Sequence, residues 1–180
     1  VERLAAATVS AFVLGDPLDE ATTHGPIANR AQYERVQRMI EVGIAEGAKV
    51  LSGGSGRPAG CAQGWYARPT VFSEVRTDMA IAQDEIFGPV LCIIPYDTVD
   101  EAVAIANDTV YGLGGHVQGT DLEAARAVAR RIRSGQVHLN HPAWDPQAPF
   151  GGYKQSGNGR EYGIEGMEEF LETKAIVGFA

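Results

Sequence analysis

The second half of the chain alternates strand-like and helix-like segments, and this alternation constrains the fold more than any other feature. The apolar run at residues 90–96 is typical of a strand buried on both faces, and residues 114–119 and 136–140 predict two further strands. Two segments with helical spacing of apolar residues lie between them. Strand, helix, strand, helix, strand predicts two crossover units and therefore a parallel α/β sheet.

The two helices between these strands have recognisable starting points. Thr98 with Glu101, and Thr120 with Glu123, have the three-residue spacing of a capping box. We expect the first helix to run through Asn107 and the second to end at the glycine before the third strand.

The first half of the chain has a looser pattern. A helix should end near Gly15, and a second helix with a regular apolar face is predicted at residues 31–46, followed by a short strand at 49–52. Residues 65–72 are expected to be extended, with Pro69 indicating an edge or irregular position. The remaining expected elements are a helix at 161–172 and a strand at 174–179.

The beginning of the chain and its composition limit the classes of protein to which it can belong. No Ser, Thr, Asp or Asn precedes the first helix, which suggests a piece of a longer protein. The net charge of −8 and pI near 5.0 provide no basic surface for nucleic acid or an anionic membrane. No apolar run reaches the roughly 18 residues of a membrane helix, and two cysteines make no disulfide framework. A reducing cytoplasm is the expected location.

Two glycine-rich stretches could bind an anion. Residues 54–59 match G-x-G-x-x-[GA] after a strand, but Pro58 leaves no helix to present amides to a pyrophosphate, so we interpret them as a loop. Residues 149–160 combine four glycines with Lys154 and Arg160. They could form an anion-binding nest or a tight connection that needs positive φ angles, and spacing favours the connection.

No residue of the chain has the setting of a catalytic nucleophile or metal ligand. Cys92 lies within an apolar strand, and Cys61 lies in a polar loop without a histidine or helix start nearby. His138 and His141 are three residues apart on a strand and should point to opposite faces. We expect no metal site and no catalytic residue.

Glu85 and Phe87 stand together just before the buried strand. A carboxylate can accept two hydrogen bonds from a ribose diol while an aromatic ring covers a base or nicotinamide. The pair can equally be a surface Glu beside a core Phe, and spacing alone favours that interpretation. The pair also precedes the amino end of the strand, whereas open α/β sheets bind ligands beyond the carboxyl ends.

Four motifs together resemble the NAD(P)-dependent aldehyde dehydrogenases. They are DEIFGPV (84–90), ANDTVYGL (106–113), SGQVHLN (134–140) and PFGGYKQSGNGRE (149–161), and they follow the order and separations of that family. The resemblance extends over essentially the whole chain, and the ordered set is far more specific than any single motif.

The resemblance implies a fold and a division of the chain. Residues 1–172 would be the C-terminal, parallel-sheet part of the catalytic domain, and residues 173–180 a strand for subunit contact. In the family a thiolate attacks the aldehyde, hydride passes to the nicotinamide, and a Glu-activated water hydrolyses the thioester. The nucleophile, base and oxyanion-binding Asn belong to the preceding portion, so we expect the isolated chain to be inactive.

The resemblance also implies binding residues, position by position. Glu85 matches the residue that holds the nicotinamide ribose, Phe87 the residue beside that ring system, and Leu113 an apolar residue bordering nicotinamide and substrate. Trp144 and Phe150 match the wall of the aldehyde pocket.

The implied cofactor is NAD or NADP, and the implied partners are a small-molecule aldehyde and further copies of the chain in a dimer or tetramer. Two alternatives remain open. One is a non-catalytic binding or assembly module that retains the fold, and the other is a phosphate- or nucleotide-binding domain that uses Lys154 and Arg160.

Overall fold

The computed structural model describes residues 1–178, which divide into two compact units. The first unit comprises Val1–Tyr96, and the second begins at Asp97. The division expected from the family resemblance, with a boundary after residue 172, stays a prediction.

Three helices belong to the first unit. They are α1 (Glu2–Ser10), α2 (Arg30–Ala45) and the single turn α3 (Ala80–Gln83). No side chain caps the start of α1, as the sequence predicts. Helix α2 begins where the Asn29 side chain accepts a 2.9 Å hydrogen bond from the backbone N–H of Gln32.

A three-stranded sheet completes the first unit. Strand β2 (Thr70–Ser73) lies in the middle, antiparallel to β1 (Lys49–Ser52) and parallel to β3 (Val90–Cys92). Of the edge or irregular position that Pro69 indicates, the edge is wrong for β2, whereas Pro69 itself lies in irregular backbone just before the strand. Because β2 begins immediately after this proline, its missing N–H lies outside the strand.

The core of the first unit lies between α2 and the sheet. All four residues of β2 are buried, and the largest of them is Phe72. Val36 and Ile40 of α2 are completely buried and belong to the same cluster. Helix α2 is therefore fixed in position by its packing in the core, and it can hold the loop that leads into β3.

The second unit contains one crossover of the predicted kind. Its elements are α4 (Val99–Asn107), β4 (Gly114–Val117), α5 (Leu122–Ala129), β5 (Gln136–Leu139), a 3-10 turn (Lys154–Ser156) and α6 (Gly163–Glu168). Strands β4 and β5 are parallel and joined through α5, which confirms the second predicted crossover.

The first predicted crossover is wrong in its pairing. Strand β3 bonds to β2 in the sheet of the first unit, and β4 bonds only to β5 among the described strands. An apolar run shows that a strand is buried, but it does not select the neighbouring strand, which depends on long-range register. Strand β3 is also shorter and more exposed than the sequence indicates.

The two helix starts of the second unit test the capping prediction. Thr98 accepts a 3.1 Å hydrogen bond from the backbone N–H of Glu101, as predicted. At α5 the cap is Asp121, which accepts a 3.0 Å bond from the N–H of Ala124, and not Thr120. Asp caps as well as Thr and adds a negative charge at the positive end of the helix.

The end of the chain is less regular than expected. The predicted helix at 161–172 is confined to α6, and residues 173–178 form no strand with any other described residue. A segment that pairs with the sheet of a second copy needs no hydrogen-bonded strand partner within its own chain. The subunit-contact strand stays a prediction, and Phe179 and Ala180 lie outside the described residues.

Candidate functional site

The loop before β3 is held by side chains of α2. The amide nitrogen of Gln32 donates to the carbonyl oxygens of Ile86 (3.0 Å) and Phe87 (2.7 Å), and the guanidinium of Arg35 donates to that of Glu85 (2.6 Å). Gly88 lies so close to Val36 that an added Cβ would be 2.5 Å from its methyl group. These contacts fix the backbone of residues 85–88 from one side.

The fixed backbone leaves two side chains of this loop uncovered. Phe87 has a φ of 55° and a side chain that is 74% exposed, whereas the neighbouring Ile86 is buried. Glu85 is exposed, and its carboxylate meets no hydrogen-bond or ion-pair partner among residues 1–178. The interpretation of Phe87 as a core residue is therefore wrong. A ring and a carboxylate on an anchored loop are suited to binding a ligand.

Leu113 belongs to the second unit, where a crowded turn precedes β4. The N–H of Gly112 donates to the Ser156 hydroxyl at 3.0 Å, and its carbonyl accepts from the N–H groups of Tyr153 and Gly135. The turn holds the Leu113 side chain in a position where it is 41% exposed.

Trp144 and Phe150 line one cavity of about 930 Å³ in the second unit. Strand β5 contributes residues to the lining of the cavity, and Gln136 of that strand donates a 3.0 Å hydrogen bond to the Pro149 carbonyl. Trp144 is 75% exposed, and Phe150 is half-buried. The structure thus brings together the two residues that the resemblance assigns to a pocket wall.

Tyr162 lines the same cavity, and no motif in the sequence points to it. Its ring lies edge-on to Trp144, with 6.1 Å between ring centroids, and is tilted toward Phe150 at 6.5 Å. Phe150 and Glu161 exchange two backbone hydrogen bonds, of 2.8 and 2.6 Å, which bring Tyr162 to the pocket. Phe150 and Glu161 are eleven positions apart in the sequence, and no local pattern indicates that they pair.

Comparison with known proteins identifies the family. Residues 1–176 match the aldehyde dehydrogenase family. The chain belongs to that family. It is 56% identical to 3-succinoylsemialdehyde-pyridine dehydrogenase from a Pseudomonas species, over 99% of this chain and 38% of the relative. It is 52% identical to a putative aldehyde dehydrogenase of Staphylococcus saprophyticus, over 92% of this chain and 35% of that protein.

Solved aldehyde dehydrogenases have the same fold. A mutant of aldehyde dehydrogenase C from Pseudomonas syringae, complexed with NAD+ and octanal, matches with a TM-score of 0.97 and 70% identity. That match covers 99% of this chain and 37% of the other. The Mycobacterium tuberculosis enzyme complexed with NAD+ has a TM-score of 0.91 and 48% identity, over 99% of this chain and 38% of the other.

The aldehyde dehydrogenase chain spans little more than a third of the length of these relatives. The covered percentages say how much of each relative is matched and not which part of it. They therefore do not support the predicted placement of this chain at the C-terminal end of the enzyme.

Of the two thiols of this aldehyde dehydrogenase chain, Cys92 has a setting that disfavours a nucleophile. Burial raises the pKa of Cys92 to about 11, and its Sγ donates to the Ile81 carbonyl at 3.4 Å. A thiol with such a pKa is almost wholly protonated near neutral pH. Cys61 lies in the loop after β1, and both cysteines are free thiols.

Lys154 and Arg160 hold the glycine-rich segment together. The ammonium of Lys154 donates to the carbonyls of Asn107 and Thr109, both at 2.9 Å. Arg160 donates to the carbonyl of Gly152 at 3.1 Å and lies over the Tyr153 ring, 5.5 Å from its centroid. Both cations are engaged with the segment's own surroundings, which favours the structural interpretation over an anion-binding nest.

Two histidines that are distant in the sequence lie side by side. His116 of β4 and His138 of β5 are register partners, and their rings stack with 4.9 Å between centroids. The spacing of His138 and His141 in the sequence gives no sign of this pair. Among residues 1–178 no group of three or more His, Cys, Asp or Glu side chains could hold a metal ion.

Proposed function

We propose that the full-length enzyme containing this chain oxidises an aldehyde to a carboxylic acid with NAD or NADP. The observation that carries the proposal is the family match through residues 1–176. It is supported by the likeness of nearly the whole chain to an aldehyde dehydrogenase complexed with NAD+ and octanal.

The loop at residues 85–88 has the properties required to contact the cofactor. The exposed carboxylate of Glu85 can accept hydrogen bonds from ribose hydroxyls, and the exposed ring of Phe87 can cover an apolar face of the nicotinamide. Leu113, in the second unit, is proposed on the family resemblance alone as a residue bordering the nicotinamide. A bound cofactor would supply the hydride acceptor, and Glu85 and Phe87 would hold and orient its nicotinamide ribose and ring.

The cavity at Trp144 and Phe150 is proposed to form one wall of the aldehyde pocket. Apolar and aromatic linings with few polar groups are typical of small-molecule sites, and a volume of about 930 Å³ is within their usual range. The pocket walls contact the part of the substrate that does not react.

The catalytic thiol is proposed to come from another part of the enzyme. Cys92 is held protonated by burial, so it is a poor nucleophile. By the order of its motifs, this chain is the C-terminal part of the catalytic domain, with the nucleophile and base in the part that precedes it. The isolated chain therefore has binding surfaces and no turnover.

We also propose that residues 173–180 join the sheet of a second copy, giving a dimer or tetramer in the cytoplasm. Residues 173–178 are exposed, and Ile176 and Val177 present apolar side chains to solvent.

No helix among the described residues is long and apolar enough to cross a membrane.

The experiment compares the full-length enzyme with the isolated chain of 180 residues. The full-length enzyme should reduce NAD+ or NADP+ in the presence of an aldehyde and release the carboxylate. The isolated chain should do neither, and light scattering after gel filtration should show a dimer or higher oligomer.

Each outcome has a distinct meaning. A full-length enzyme that oxidises no aldehyde would favour the non-catalytic binding module. Turnover by the isolated chain, retained after removal of trace contaminants, would contradict the assignment of the nucleophile elsewhere. A stable monomer of the isolated chain would contradict the role of residues 173–180.

A further inference from the structure

Tyr162 occupies a backbone conformation that favours glycine. Its φ is 60° and its ψ is 166°, a region that bulky residues rarely adopt. Hydrogen bonds impose this geometry from both sides: Glu161 is paired with Phe150, and the N–H of Gly163 donates to the Pro146 carbonyl at 3.2 Å. Backbone strain at a bulky residue beside a cavity points to a role for its side chain.

The Tyr162 side chain is too exposed for that requirement to be core packing. It is 49% exposed, and its contacts are the edge-on ring of Trp144 and the tilted ring of Phe150. Its hydroxyl meets no hydrogen-bond partner among residues 1–178. The ring therefore serves mainly as an apolar, aromatic surface toward the cavity.

The charges that line the cavity are negative. Asp145 and Glu161 are among the lining residues, and no Lys or Arg is found among those that the structure describes. A substrate tail that carries a carboxylate would meet like charges on this wall, where no described lining residue is a Lys or Arg. An uncharged apolar tail would meet the rings of Trp144, Phe150 and Tyr162.

We propose that Tyr162 is a specificity-determining residue that, together with Trp144, selects aldehydes with an uncharged apolar tail, aliphatic or aryl. This inference rests on the proposed function. The ring of Tyr162 contacts the tail of the substrate, and the carboxylate of Asp145 disfavours a tail with a negative end.

The test uses the full-length enzyme and three aldehydes: propanal, a linear medium-chain aldehyde, and its analogue of equal length with a terminal carboxylate. Tyr162→Ala should lower kcat/KM for the linear medium-chain aldehyde relative to propanal by about tenfold, whereas Tyr162→Phe should keep the ratio within about twofold. Tyr96→Ala, which removes an exposed aromatic side chain outside the cavity, should leave the ratio unchanged.

A second arm tests the charge. Asp145→Asn keeps the side-chain oxygen that accepts from the N–H of Gln147 and removes the negative charge. The wild-type enzyme should have a higher kcat/KM for the neutral medium-chain aldehyde than for its carboxylate analogue. Asp145→Asn should lower the ratio of these two kcat/KM values by about threefold or more.

The variants also separate folding from recognition. Tyr162→Gly relieves the backbone strain, so it should fold even if Tyr162→Ala does not, and it should show the same loss of chain-length preference. Unchanged ratios in a folded, active Tyr162→Gly variant would overturn the inference alone. A wild-type preference for the carboxylate analogue would also overturn it. No aldehyde oxidation by the wild type would overturn this inference and the proposed function together.

Discussion

The side-chain amide of Gln32 donates a 2.7 Å hydrogen bond to the backbone carbonyl oxygen of Phe87. The donor lies in the first turn of α2, and the acceptor lies 55 residues further along the chain. This bond turns the carbonyl toward the helix while the ring faces solvent. The loop proposed to contact the cofactor is therefore anchored by a helix whose other face is seated in the core.

The first prediction concerns the pH dependence of Cys92. Its pKa in the folded chain is about 11, above the ordinary value of 9.0. Between pH 9 and pH 11 the unfolded chain releases a proton that the folded chain retains. The free energy of unfolding should therefore fall as pH rises from about 9 to about 11. In a Cys61→Ser variant, alkylation of Cys92 should rise with a midpoint near pH 11. A midpoint at or below pH 9 would show that burial does not perturb this thiol.

The second prediction concerns Lys154. Its ammonium bonds two backbone carbonyls, so Lys154→Ala should lower the free energy of unfolding by about 1–3 kcal/mol. The control is Arg133→Ala, which removes an exposed cation of the same unit and should have little effect. Inorganic phosphate should not raise the melting temperature of the wild-type chain. A phosphate-dependent rise that Lys154→Ala abolishes would instead support the anion-binding alternative.

The third prediction concerns Trp144 at the cavity. Trp144→Ala in the full-length enzyme removes a large ring from the proposed pocket wall, which makes room for wider substrates. Branched, bulky aldehydes should gain in kcat/KM relative to small linear ones, by roughly tenfold. A uniform change across all aldehydes would show that Trp144 is a packing residue and not a pocket residue.

Local chemistry in the sequence predicted much of the secondary structure. The Thr98 cap and the apolar face of α2 depend on residues a few positions apart, and both are found as expected. Pairing between strands depends on contacts far apart in the chain, which explains why β3 was assigned to the wrong sheet. Pro69 is irregular, as one of its two predicted alternatives states, but a proline does not reveal whether the strand that begins one residue later is central or at an edge.

The site was predictable only where a motif marked it. Trp144 and Phe150 were inferred from the family resemblance, and the structure places both at one cavity. Tyr162 and the His116–His138 pair depend on backbone pairing over 11 and 22 residues, for which the sequence contains no local signal. The roles of Glu85, Phe87 and Leu113 remain predictions from the resemblance, since exposure shows that they are available and not what they bind.

The last prediction concerns Glu85, whose exposed carboxylate is proposed to hold the ribose of the cofactor. Glu85→Gln keeps the size of the side chain and removes its charge, and a charge-assisted hydrogen bond contributes about 1.5–3 kcal/mol. Hydride transfer in the full-length enzyme should therefore slow by roughly 10- to 100-fold. Glu41→Gln, at an exposed position of α2, is the matched control and should leave the rate unchanged.

The most direct measurement is the single-turnover rate of nicotinamide reduction by the full-length wild type, Glu85→Gln and Glu41→Gln at saturating aldehyde. The account predicts aldehyde-dependent reduction by the wild type and the control, and a much slower rate for Glu85→Gln. A rate for Glu85→Gln within about twofold of wild type would show that this loop does not hold the cofactor. An absence of aldehyde-dependent reduction in all three would contradict the proposed activity itself.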